Sequence, residues 1–193
     1  MSSLGKASEN VDLLRVALER EQHPDVWLFS FSKAAAEVRL LMQQMGDRFP
    51  KNIRGWISVS GTLGGSPLAT TRFQSPLHEL FYAAIFRSLG TRLEVIRELR
   101  HDHEFWQDEF VAPNAMQCIH IVGIPLLSHV QPILVPKCQL LSEYGVNDGI
   151  SLLEDTMEAP GHLYPIWGAD HFLRTPALSP LLYRLLHFAA SQR

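Results

Sequence analysis

Hydrophobic positions recur along the chain in two rhythms, one suited to helices and one to buried strands. Residues 9–22, "ENVDLLRVALEREQ", place Val11, Leu14, Ala17 and Leu18 on one helical face, and Pro24 in "HPD" stops that helix. Val26 to Phe31 is a short, almost wholly apolar run, which suits a strand covered on both faces of a parallel sheet. A second helix is predicted over 33–46, with Ala35, Val38, Leu41, Met42 and Met45 inward and Gly46 as its cap. "IRGWISVSG" (53–61) predicts a second strand, followed by a loop with Gly61, Gly64 and Gly65. A helix is expected over 75–90, ended by Gly90, and one or two more over 91–110. "MQCIHIVGIPL" (116–126) predicts a third buried strand. Residues 127–147, with Pro132, Pro136 and Gly145, read as irregular or mixed. "HLYPIWG" (162–168) predicts a fourth strand, and 179–191 a closing helix with Pro180 in its first turn. Strands alternating with helices imply one α/β domain, a parallel sheet with helices on both faces.

Composition narrows the class. A chain of 193 residues is long enough for a sizeable core. The hydrophobic fraction of 46% and charged fraction of 19% are those of an ordinary globule, and a net charge of −3 gives no nucleic-acid footprint. Cys118 and Cys138 form no disulfide framework, and Cys118 reads as a small buried hydrophobe. "MSSLGKASEN" lacks the apolar core of a signal peptide, and no apolar run approaches the ~20 residues that span a bilayer. A cytoplasmic protein is the expectation.

Candidate chemistry centres on "VWLFSFSKAAAEVRLLM", Val26 to Met42, where a strand turns into a helix at Ser32. A serine on such a turn is lifted out of the sheet at its carboxyl end, and the strained backbone needs small residues two before and two after. Here those are Ser30 and Ala34, giving S-F-S-K-A where G-x-S-x-G is usual. The amide of Lys33 opens the helix and is placed to donate to a developing oxyanion.

On these residues the chain resembles the α/β-hydrolase family of esterases and lipases. The resemblance implies a triad in the order serine, acid, histidine. "YGVNDGI" (144–150) is similar to the acid-bearing loop, with Asp148 as the match, and "IWGADHFLR" (166–174) to the histidine loop, with His171 as the match. His171 falls after a predicted strand, where ligand sites of open α/β sheets lie. It further implies a serine hydrolase acting on a small-molecule acyl substrate through an acyl-enzyme, with no cofactor and no metal, and a helical cap-like insertion over 75–110. The family usually has eight strands, with the nucleophile after the fifth. Here the nucleophile strand comes first, so the match is to the C-terminal part of the fold. The loop that normally supplies a second oxyanion amide, worth roughly 3–4 kcal/mol in another serine hydrolase, goes with the preceding strands. The strand Val26–Phe31 would then be an exposed apolar edge, covered by a second copy or a partner chain. A C-terminal portion, a chain completed by a partner and a degraded relative all fit.

Simpler roles stand beside these. Ser32 suits a helix N-cap, and Asn-Asp-Gly at 147–149 is strong turn chemistry in its own right. Asp155 is the substitute acid, set in a predicted helix, and Asp170 reads as a loop or capping group. "GTLGGS" (61–66) offers a phosphate cradle for a nucleotide-dependent protein but lacks the lysine and following hydroxyl of a nucleotide loop. His101 and His103 in "RHDHEF" are two apart, which on a helix points them to different faces and argues against a zinc pair. Trp106 and Phe110 suit a cap over an acyl pocket, or plain core packing. The alternative to an enzyme is a catalytically inactive α/β-hydrolase-like binding or interaction module.

Overall fold

A computed structural model describes residues 5–71, 94–113 and 116–191. Four strands, β1 (Val26–Phe31), β2 (Ile53–Val59), β3 (Gln117–Ile124) and β4 (His162–Trp167), form one sheet in sequence order, every pairing parallel. Seven helices accompany them among the described residues: α1 (Ala7–Arg20), α2 (Lys33–Met45), α3 (Pro67–Thr71), α4 (Glu94–Arg97), α5 (Val135–Leu141), α6 (Leu153–Met157) and α7 (Leu178–Ser191). The fold class is that of the sequence expectation.

Alternation along the two central strands builds a core on each face. Trp56 and Cys118 point to the face covered by α1 and α2, where they meet Val11, Leu41 and Phe49. Ile57, Val59, Ile119 and Ile121 point the other way and pack against Leu173 and Leu185, the latter on α7. Both faces of β2 and β3 are therefore dry, which explains their near-continuous apolar runs.

Two expectations need correction. β1 is not covered on both faces: Phe29 is 58% exposed and Phe31 40%. Among the described residues β1 pairs only with β2, so it lies at an edge. Residues 94–110 are mostly turns, with only α4 and a 3-10 turn at Glu104–Trp106. Charged side chains there bond locally, Arg100 to Asp102, and the backbone of Ser66 and Arg100 forms an isolated bridge instead. The stretch 127–147 is mixed, as expected: it contains α5, which buries Cys138 and Leu141, with Leu134 buried just before it at helical spacing despite Pro136. The expected helix at 75–90 lies outside the described residues. No helix among the described residues is long and apolar enough to cross a membrane. Cys118 and Cys138 are free thiols, and burial pushes the Cys118 thiol up to about 12.

Candidate active site

The carboxyl ends of the strands carry the polar residues of interest. β1 hands the chain to α2 through Ser32, which sits at φ 54° and ψ −124°. Among the described residues the other non-glycine residues with positive φ are Ser60, after β2, and Leu173, after β4. Strain of this kind costs on the order of 1–3 kcal/mol per residue and persists only where neighbours hold it. At Ser32 they do: its N–H donates to the Val59 carbonyl (3.0 Å), and its own carbonyl accepts from Ala35 and Thr62 (3.0 and 3.3 Å).

Small neighbours make the turn feasible. Ser30, where glycine is usual, turns its hydroxyl to the Trp56 indole, which donates to it at 2.8 Å. The loop after β2 runs so close to α2 that a Cβ on Gly61 would lie 2.2 Å from the Ser58 hydroxyl and 2.7 Å from the Ala35 Cβ. Lys33 folds its ammonium onto Glu37, and Asn10 of α1 donates to that same carboxylate at 2.7 Å. The Lys33 side chain is thereby held away from Ser32, leaving its amide at the first turn of α2.

Residues 139 positions apart in sequence meet here. His171 Nε2 lies 2.8 Å from Ser32 Oγ, and His171 Nδ1 lies 2.8 Å from Asp148 Oδ2. The Asp148 carboxylate is wholly buried. Its other oxygen accepts from the amides of Ile150 (2.9 Å) and Ser151 (2.8 Å). The His171 N–H donates to the Asp148 carbonyl at 2.8 Å, so the two loops are joined through backbone as well as side chains. With the Nδ1 proton directed at a carboxylate, the lone pair of Nε2 faces the serine hydroxyl. Such a chain can take a proton from the hydroxyl as its oxygen attacks an electrophile.

The other sequence candidates fall elsewhere. Asp155 faces His101, with 3.8 Å between Oδ1 and Nδ1, and makes no hydrogen bond to His171. Asp170 accepts from the amides of Gln131 (2.9 Å) and Phe172 (3.1 Å), tying the loop after β3 to the histidine loop. The loop 61–66 is buried and its amides bond inward, Thr62 to Ser32 and Ser66 to Leu99, so it does not form a phosphate cradle. His103 accepts from the Phe105 amide. Among the described residues no group of three or more His, Cys, Asp or Glu residues is placed to hold a metal ion. Trp106 and Phe110 flank the Arg39 guanidinium, 5.6 and 5.4 Å from the two ring centres.

One positioning residue escaped the sequence reading. A Cβ on Gly123, near the end of β3, would lie 2.3 Å from the Ala169 carbonyl. The histidine loop therefore rests directly on β3 backbone. A glycine inside the otherwise apolar run "IHIVGIP" is the signal that marks such an approach.

Solved structures share this fold. The metagenomic carboxyl esterase MGS0156 superposes with a TM-score of 0.69 at 20% identity, over 89% of this chain and 52% of its own. The Bacillus licheniformis lipase BlEst2 in mature form gives 0.65 at 16% identity, over 94% of this chain and 76% of its own. The Paleococcus ferrophilus monoacylglycerol lipase gives 0.53 at 14%, over 98% and 77%. The fold is α/β-hydrolase-like. The chain spans about half the length of MGS0156, so this α/β-hydrolase-like sheet corresponds to part of that structure. No protein-family model matches the sequence, and no curated protein matches it.

Proposed function

We propose that the chain is a serine hydrolase that cleaves a carboxylic ester, or a related acyl substrate, through an acyl-enzyme. The observation that carries this conclusion is the unbroken hydrogen-bonded chain Ser32–His171–Asp148, with 2.8 Å at each step. The names of the structural neighbours, carboxyl esterase and lipase, support it.

The mechanism follows from the groups present. Ser32 Oγ attacks the acyl carbonyl while His171 Nε2 takes its proton. Asp148 holds the imidazole with its proton on Nδ1 and offsets the positive charge that develops. The Lys33 amide, at the N-terminus of α2, donates to the oxyanion. His171 then returns the proton to the leaving alcohol. Water, deprotonated by His171 in turn, attacks the acyl-serine and frees the acid. The segment 75–110 is proposed as the cap over the acyl group.

A fluorophosphonate probe tests this directly. Folded protein should be labelled at Ser32, and Ser32→Ala should lower p-nitrophenyl ester turnover by about 10³-fold or more. Absence of labelling in folded material would overturn the assignment. A second reading, a non-catalytic binding or interaction module, is favoured by the exposed aromatic side chains of β1. It expects no labelling and an assembly in which a second copy or a partner chain covers Val26–Phe31. Light scattering behind size exclusion separates the two, because a stable monomer contradicts the module.

A further inference from the structure

Away from Ser32, the structure holds a cavity of about 780 Å³, within the range of small-ligand sites, and none of Ser32, Asp148 and His171 lines it. We propose that this cavity is a second binding site, one that takes a small organic ammonium ion through Asp155. Its failure would leave the ester-hydrolase reading untouched, since that reading is carried by Ser32, Asp148 and His171, none of which lines the cavity.

The first support is an unpartnered group. Asp155 lines the cavity with its side chain only 9% exposed. Among the described residues Oδ2 has no hydrogen-bond partner, and Oδ1 faces His101, 3.8 Å away and outside hydrogen-bond reach. A carboxylate stripped of water and given no donor is costly, and native structures seldom retain one without a purpose. Burial pushes the Asp155 carboxyl up to about 6.

Charge and shape choose the ligand. Asp108, Glu109, Glu154 and Glu158 line the same cavity, while the opposing charges are Arg39 and His101. Arg39 is partly committed: its Nη atoms donate to the carbonyls of Leu63 (2.7 Å) and Asp108 (2.8 Å), its plane lies between Trp106 and Phe110, and its charge offsets only part of the acidic lining. The net field is negative, so a cation is drawn in. The carboxylates do not converge into a metal-holding cluster among the described residues. A cation carrying its own N–H donors on an apolar body fits better, with Tyr144 and Leu152 supplying apolar wall.

Isothermal titration of the full chain with 2-phenylethylammonium, against the uncharged 2-phenylethanol, tests this. The ammonium should bind one to one, about tenfold or more tighter than the alcohol, and Asp155→Asn should lose about tenfold or more of that affinity. Glu158→Gln, at an exposed position that leaves the fold intact, should lose a few-fold. No binding at millimolar ammonium, equal binding of the alcohol, or unchanged affinity in a cooperatively unfolding Asp155→Asn protein would each overturn the site. Should Asp155→Asn not fold, an unchanged affinity in Glu158→Gln would overturn it instead.

Discussion

Two buried aspartates lie seven positions apart and live in opposite surroundings. Asp148 is wholly buried and accepts from two backbone amides and the His171 ring. Asp155 is nearly as enclosed and accepts no hydrogen bond among the described residues. Burial is thus not what separates them; the local turn is. Asn-Asp-Gly folds the chain back so that the amides of Ile150 and Ser151 point at one Asp148 oxygen, leaving the second free for the imidazole. The turn at Asp148 and its hydrogen bond to His171 are one structure. Asp155 sits inside the short helix α6, where neighbouring amides are directed along the helix and none reaches its side chain.

Removing the Asp148 charge should have the largest effect. Asp148→Asn keeps the volume, but its side chain can present an N–H to His171 where the carboxylate accepted. The imidazole is then driven toward the wrong tautomer. Ester turnover should fall by about 10²–10⁴-fold with KM little changed, as expected when orientation of a general base is lost. Asp155→Asn, assayed alongside, should retain Ser32 labelling by fluorophosphonate. Equal losses of labelling in the two variants would erase the contrast between the two sites.

A smaller effect, of opposite sign, is expected in stability. The folded-state value of Asp155, about 6, lies above the ordinary 3.8, so the folded protein holds a proton that the unfolded chain gives up. Stability linked to this group falls as pH rises from about 4 to about 6, and above that the penalty is fully present. Asparagine carries no such charge. Asp155→Asn should therefore unfold at nearly the wild-type temperature at pH 4 and above it at pH 8, by on the order of 1–3 kcal/mol. Thermal unfolding at both pH values checks this, and a gap that shrinks as pH rises would contradict the buried, unpaired carboxylate.

The same contrast explains what could be read in advance. β1, Ser32 and α2 were legible because the strand-serine-helix turn is written in adjacent residues. Asp148 and His171 were legible because each stands in a short loop with its own signature, "NDG" and "GADH", after or beside apolar segments. The burial of Arg39 was not legible. Its partners are carbonyls 24 and 69 positions away, and carbonyls carry no side-chain signal. Residues 94–110 misled for a related reason: their apolar positions suggest helices, but Trp106 is drawn inward under Arg39 and its indole donates to the Glu98 carbonyl, bending the chain into turns. The exposure of Phe29 and Phe31 was legible only through the family resemblance, which puts β1 first; the apolar run by itself reads alike in a central strand and an edge strand.

The smallest predicted effect concerns the support beneath the turn. Ser30 occupies a position where the hydrolase-like turn usually has glycine, yet its hydroxyl accepts from the buried Trp56 indole at 2.8 Å. Ser30→Gly gives the turn its usual small residue but leaves that indole N–H unsatisfied in the core. The two consequences oppose each other. Relief at Ser32 is slight, because the strained φ is held by the bonds of its own backbone to Val59, Ala35 and Thr62, none of which involves the Ser30 side chain. The orphaned donor should dominate, lowering stability by about 1–2 kcal/mol in denaturant unfolding. The Ser32–His171–Asp148 chain is untouched, so esterase turnover measured well below the unfolding midpoint should stay within about twofold of wild type. A large loss of turnover without loss of stability would mean that Ser30 positions Ser32 itself, and that the Trp56 bond belongs to the site and not merely to the core.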